Sequence, residues 1–198
     1  WYAMPGEAGL IMCTFPKGGE REARGGKPTH GFAGYLNECM NGFEYQVAGH
    51  MAWEGMVTQA LALCRGIHDR YHPSKRNPWN EVECGDHYAR GLASWGVLLG
   101  LAGFELHGPK GHLGFAPRIT PDDFRCPFTA AEGWGTISQK RTKTEQVNRI
   151  EVVWGTLRGK SLAFKLPKNV APQDVTVQLG DQEVDGEVNL VGSRLVLT

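Results

Sequence analysis

What this chain lacks narrows its class before any motif is read. It has no dominant charge: 21 Lys and Arg face 21 Asp and Glu over 198 residues. A neutral chain with no basic run carries no electrostatic footprint for nucleic acid or for an anionic membrane surface. No apolar run approaches the roughly 18 residues that read as a membrane span, so no transmembrane segment is expected. The five cysteines (Cys13, Cys39, Cys64, Cys84, Cys126) are odd in number and show no CxxC or CxxH spacing. That pattern argues against a disulfide framework or a structural zinc site, and scattered thiols favour a reducing, cytoplasmic compartment. Nucleophile elbow, phosphate loop, dinucleotide fingerprint and long internal repeat are also missing, and no cofactor or metal is expected. Initiator methionine and signal-like segment are absent at Trp1. Trp-Tyr-Ala-Met-Pro-Gly reads as the interior of a domain, so an upstream part of the same polypeptide is the expected partner.

What is present divides into a helical part and a strand-rich part. Residues 1 to 42 are Gly-rich and irregular. From Phe43 to about Tyr71 apolar residues recur at three- and four-residue steps, which predicts one long helix. Asn41 is its expected N-cap with Glu44 three residues on, and His72-Pro73 its end. A second helix is expected from about Asp86 to Ala102. Its small residues (Gly91, Ala93, Ser94, Gly96, Gly100) lower helix propensity, which points to close approach of a neighbouring helix. After Gly103 the period becomes two. Phe104 to His107, the turn Gly-Pro-Lys-Gly and His112 to Ala116 read as a hairpin. Prolines 117, 121 and 127 follow, and from Thr136 onward alternating runs predict four to six antiparallel strands. The expected fold is therefore mainly α with a β appendage: residues 1–103 helical, residues 104–198 a hairpin and a β-rich tail.

The chemistry-bearing stretch is 77–90, Asn-Pro-Trp-Asn-Glu-Val-Glu-Cys-Gly-Asp-His-Tyr-Ala-Arg. Glu81, Glu83 and Asp86 stand close together with Arg90 one helical turn past Asp86. Asp86 reads as a helix cap paired with Arg90 at i,i+4, whereas nothing local caps or pairs Glu81. A carboxylate that accepts and a planar guanidinium that donates suit sugar hydroxyls. Trp79 and Tyr88 are either core or an apolar platform for a sugar ring. His87 has the intrinsic pKa for acid–base work, though a lone histidine is more often structural. His68 and His72 lie one turn apart, but no carboxylate spacing completes a zinc motif. Glu44 and Glu54 read as helix-start and helix-face residues. Glu38 precedes the helix entrance and is a candidate to face the same cavity as Glu81.

These stretches resemble glycoside hydrolase family 116, the bacterial β-glucosidases and non-lysosomal glucosylceramidases. The resemblance is carried by Trp1-Tyr-Ala-Met-Pro-Gly-Glu-Ala, by Asn37-Glu-Cys-Met-Asn-Gly-Phe-Glu-Tyr-Gln-Val-Ala and by Arg76-Asn-Pro-Trp-Asn-Glu-Val-Glu-Cys-Gly-Asp-His-Tyr-Ala-Arg. Leu113-Gly-Phe-Ala-Pro-Arg and Thr129-Ala-Ala-Glu-Gly-Trp-Gly continue it, over roughly residues 1 to 138. It implies the C-terminal part of an (α/α)6 toroid, in a retaining β-glycosidase acting on terminal β-linked sugars. The glycone-holding Glu and Arg of the family fall on Glu81 and Arg90. Met40 stands where many members have a sugar-lining Trp, which bears on glycone choice. The catalytic Glu nucleophile and Asp acid/base are expected upstream of Trp1, so this chain is expected to hold no catalytic residue and to hydrolyse nothing alone. The expected substrate-binding set is Glu81 and Arg90, with His87, Met40 and Glu38 as further candidates. The alternative is a non-catalytic carbohydrate-binding or structural relative of the same fold.

Overall fold

A computed structural model describes residues 4–11, 39–79 and 89–198. The chain forms two compact units, Trp1–Gly100 and Leu101–Thr198. The described residues hold three α-helices and ten β-strands, so the molecule is mostly β. That overturns the mainly α expectation and the toroid with it. The helices are short, at 13, 14 and 9 residues, and period-two patterning governs nearly all of the second half.

In the first unit, α1 (Asn41–Trp53) and α2 (Val57–Arg70) replace the single long helix expected over 43–71. The break is a glycine device. Gly55 takes φ 81°, its N–H bonds the Ala52 carbonyl at 3.2 Å, and the Met56 N–H bonds that of Met51 at 2.8 Å. This is a Schellman ending, in which only a residue at ease in the left-handed region closes the helix. Asn41 is not the N-cap either. Met40 holds that position in an extended conformation without a side-chain cap, and Asn41 lies buried as the first helical residue. α2 does end before His72-Pro73, as the proline requires.

A 3₁₀ turn (Arg90–Ala93) leads into α3 (Ser94–Ala102). The expected helical start at Asp86 lies outside the described residues. The small-residue stripe does what its composition implied. A Cβ on Gly49 would stand 3.3 Å from the Gly96 backbone, and one on Gly100 would stand 3.0 Å from the Ala52 Cβ. α1 and α3 thus cross at a distance that larger side chains would forbid.

The second unit holds two larger sheets and a small two-stranded ribbon, β7 (Gln178–Leu179) with β8 (Gln182–Glu183). The expected hairpin is there: β1 (Glu105–His107) runs antiparallel to β2 (His112–Phe115). β3 (Asp123–Ala130), β4 (Gly133–Arg141) and β5 (Gln146–Gly155) form a three-stranded antiparallel sheet. β6 (Ser161–Lys165), β9 (Val188–Val191) and β10 (Arg194–Leu197) join the hairpin in the order β1-β2-β6-β10-β9. β2 pairs β6 in parallel, so the antiparallel expectation fails there, and the whole β3–β5 sheet is the crossover between them. Pro127 sits inside β3 because β3 is an edge strand, where a missing N–H leaves no ladder bond unmade.

Alternation sets the core of this unit. Phe124, Cys126 and Phe128 of β3 are buried, as are Ile137 of β4, Leu113 and Phe115 of β2, and Leu195 of β10. Phe115 lies between Phe104 and Phe128, with ring centroids 5.3 and 6.5 Å away. Burial without a charged partner pushes the Cys126 thiol up to about 11.

Candidate functional site

Three of the five expected substrate-binding residues, Glu38, Glu81 and His87, lie outside the described residues. Glu83, Asp86 and Tyr88 do also. Arg90 and Met40 are described, and the fold brings them together across 50 positions of sequence.

Arg90 opens the 3₁₀ turn, and its aliphatic stem lies across the first turn of α1. A Cβ on Gly42 would meet the Arg90 Cβ at 2.7 Å and its Cδ at 2.8 Å. Only glycine at position 42 leaves room for this arginine. The guanidinium carbon stands 5.5 Å from the centre of the Phe43 ring, a cation–π distance, and Nη1 reaches the Met40 Sδ at 3.4 Å. Met40 is buried at 2% exposure. With Phe43 it also lines a cavity of about 360 Å³ that includes Leu10, Val47 and His50. The ring and the sulfur both contact the guanidinium, Phe43 through its π-system and Met40 through Sδ.

Behind this lies a polar network that sequence reasoning missed. Arg70 and Glu44 are both buried and form an ion pair. Arg70 Nη1 donates to the Ala8 carbonyl at 2.7 Å and to Glu44 Oε1 at 3.1 Å, while Nη2 donates to the Cys39 carbonyl at 3.2 Å. Glu44 Oε1 in turn accepts from the Leu10 N–H at 2.6 Å. Glu44 sits in the first turn of α1, as expected, and is in addition a buried anchor for an irregular segment. The only signal for the pair was composition, an acid and a base on two apolar helices, and nothing local matched them.

Glu7 forms a second junction. It accepts from the Met4 N–H at 2.8 Å and from both Arg76 guanidinium nitrogens at 3.1 Å, with Lys75 Nζ at 3.5 Å. Burial raises its pKa. The bonds from Met4 and Arg76 and the charges of Arg76 and Lys75 outweigh that and hold it below the usual carboxylate value. Gly91 stands close to the Pro78 carbonyl, 3.6 Å from its would-be Cβ. The described residues on either side of 80–88 are therefore neighbours. Trp79 is 68% exposed, which removes it from the core.

Among the described histidines, only His50 borders the Met40 cavity. His50 faces Glu54 at 3.7 Å on an exposed surface, and His68 packs edge-on to His72, which bonds Ser74. Among the described residues no group of three His, Cys, Asp or Glu could hold a metal ion. In the second unit His112 Nδ1 lies 2.7 Å from Ser161 Oγ beside a cavity of about 600 Å³. Glu105 is 3.7 Å from its other ring nitrogen and is paired with Arg194. At that distance the carboxylate does not orient the ring as a catalytic base needs. No helix among the described residues is long and apolar enough to cross a membrane. No protein-family model matches the chain, and no curated protein matches it.

Proposed function

We propose that the parent polypeptide is a retaining β-glycosidase acting on terminal β-linked sugars, related to glycoside hydrolase family 116. This chain supplies its grip on the glycone. One observation carries the reading: three separated stretches that bear the resemblance converge on one network. Glu7 of the first binds Arg76 of the third. Ala8 of the first and Cys39 and Glu44 of the second bind Arg70. Met40 and Phe43 of the second receive Arg90 of the third.

In this reading Arg90, seated against Phe43, donates to two sugar hydroxyls and Glu81 accepts from them. Charge-assisted bonds of this kind are short and directional, and they position the anomeric carbon for groups supplied from upstream. Met40 leaves more room at the sugar than a Trp would, which admits a glycone with a substituent where glucose has a hydroxyl.

The test is the full-length enzyme on nitrophenyl β-glycosides with Arg90→Lys and Glu81→Gln. Each is expected to lower kcat/KM about 30-fold or more, from the loss of about 2 kcal/mol of transition-state contacts. Wild-type kcat/KM in both variants would sink the assignment. The isolated 198-residue chain is expected to show no turnover, since both catalytic carboxylates are placed upstream.

A further inference from the structure

We propose that the outer face of the β3–β4–β5 sheet is a second binding site, for a neutral oligosaccharide, built on Trp134 and Trp154. The two tryptophans are directly opposite each other in the β4–β5 ladder, so both side chains leave the same face of the sheet. They are 48% and 65% exposed. Neither makes a ring contact with another described aromatic side chain. Large indole faces left open to solvent are costly, and a sheet normally places them inward.

This placement is built, not incidental. Side chains alternate along a strand, so Glu151 and Trp154, three positions apart, would ordinarily point to opposite faces. They point to the same one because the register shifts between Trp134 and Gly135: Gly135 pairs Val152, Trp134 pairs Trp154, and Val153 is the extra residue of a β-bulge. Two glycines make the bulge possible. A Cβ on Gly135 would run into the Glu151 carbonyl oxygen, and Gly155 takes φ 75° against the Glu132 carbonyl. Without the bulge Trp154 would turn to the opposite face and the pair would not exist.

The surroundings select the ligand. Thr129 pairs Trp134 on the same face, and the next rung is Pro127, Thr136 and Glu151. The rung beyond holds Arg125, Ser138 and Arg149. Arg149 and Glu151 form no ion pair with another described residue, as Arg158 and Glu132 do nearby. An apolar pair flanked by hydroxyls, one carboxylate and guanidinium groups matches a sugar chain, whose rings offer C–H faces and whose rims offer hydroxyl donors and acceptors. Glu151, in the rung next to the indoles, repels an anionic chain at the pair itself, while Arg125 and Arg149 stand one rung further away, where they can donate to hydroxyls. Hydroxyl and charged side chains in both flanking rungs disfavour an apolar protein partner. This site lies wholly in the second unit and does not rest on the reading of Arg90.

The experiment titrates the full chain with cellopentaose and laminaripentaose, following tryptophan fluorescence and calorimetric heat. A heparin hexasaccharide serves as the anionic probe, and sedimentation checks self-association. Binding of at least one neutral probe is expected, weakened tenfold or more by Trp154→Ala or Trp134→Ala and several-fold by Glu151→Gln. Circular dichroism and melting should show these variants folded, and Trp154→Phe should retain part of the affinity. Trp154→Ala should leave kcat/KM of the full-length enzyme on nitrophenyl β-glycosides unchanged, so failure here is separable from failure of the glycone assignment. Four results would each overturn the proposal: no binding of either neutral probe, equal binding by folded Trp154→Ala, preference for the heparin probe, or a dimer that Trp154→Ala dissolves.

Discussion

The two units hold themselves together by opposite means. In the first, the largest fully buried side chain is a charged one, Arg70, and Glu44 and Asn41 are buried with it. In the second, the buried residues are Phe115, Leu113, Phe128, Ile137 and their like, with Gln139 the one buried polar side chain among the described residues. The reason lies in the backbone. Sheets satisfy their own N–H and C=O groups through ladders, so their inward side chains are free to be apolar. The first unit must instead fix the irregular residues 4–11 against α1 and α2, and an irregular chain offers unpaired carbonyls and amides. Arg70 and Glu44 meet that demand by bonding Ala8, Leu10 and Cys39. Gly9 lets them do so, since a Cβ there would stand 2.5 Å from Arg70 Nη1. A buried charge is thus the cost of fixing an irregular segment against two helices.

The largest expected effect would break the first unit alone. Arg70→Ala leaves Glu44 buried without its charge partner and strips two backbone carbonyls, those of Ala8 and Cys39, of theirs, which should cost about 4 kcal/mol. Cys39 and Cys126, both buried, report on the two units separately. Arg70→Ala should expose Cys39 to a thiol reagent while Cys126 stays protected. Equal exposure of both would mean that the units do not unfold independently. Phe115→Ala is the mirror experiment. It removes the ring between Phe104 and Phe128 and should cost about 3 kcal/mol, exposing Cys126 and sparing Cys39.

How much of this was legible in the sequence follows the same division. The β1–β2 hairpin could be read because period two and a Gly-Pro turn are local signals. The close approach of α1 and α3 could be read from Gly100, because a small residue in a helix needs a reason, whereas a Cβ on Gly96 would meet nothing within 4 Å. The break at Gly55 could not, because Gly55 lies four residues after Met51, Val57 lies three before Ala60, and only the backbone dihedral shows the stop. β3 was hidden by Pro127, since nothing local says that its strand is an edge. The fold class failed for a related cause: strands count only when paired, and the pairing of β2 with β6 spans 49 residues. Within the site, Arg90 was named from its motif, but its seat on Gly42, Met40 and Phe43 was not. Glu44 was placed at its helix start, but its pairing with Arg70 was missed because that partner lies 26 residues away, on another helix.

The smallest expected effect tests whether the second junction, Glu7 with Arg76, works as the buried pair does. Glu7 is held below its usual value of 4.5. A group whose folded pKa is depressed contributes stability that is present above the unfolded pKa and is lost as pH falls through the folded one. Glu7→Gln should therefore lower stability near neutral pH, and the gap from wild type should close as pH falls below 4.5. The size is modest, about 1 kcal/mol or less, because Lys75 is half exposed and screened by solvent. Thermal melts of both proteins between about pH 7 and about pH 3 measure it. A gap that stays constant across that range would show that Glu7 acts by packing and hydrogen bonding alone. The two polar junctions would then differ in kind, with charge essential only where Arg70 and Glu44 are cut off from water.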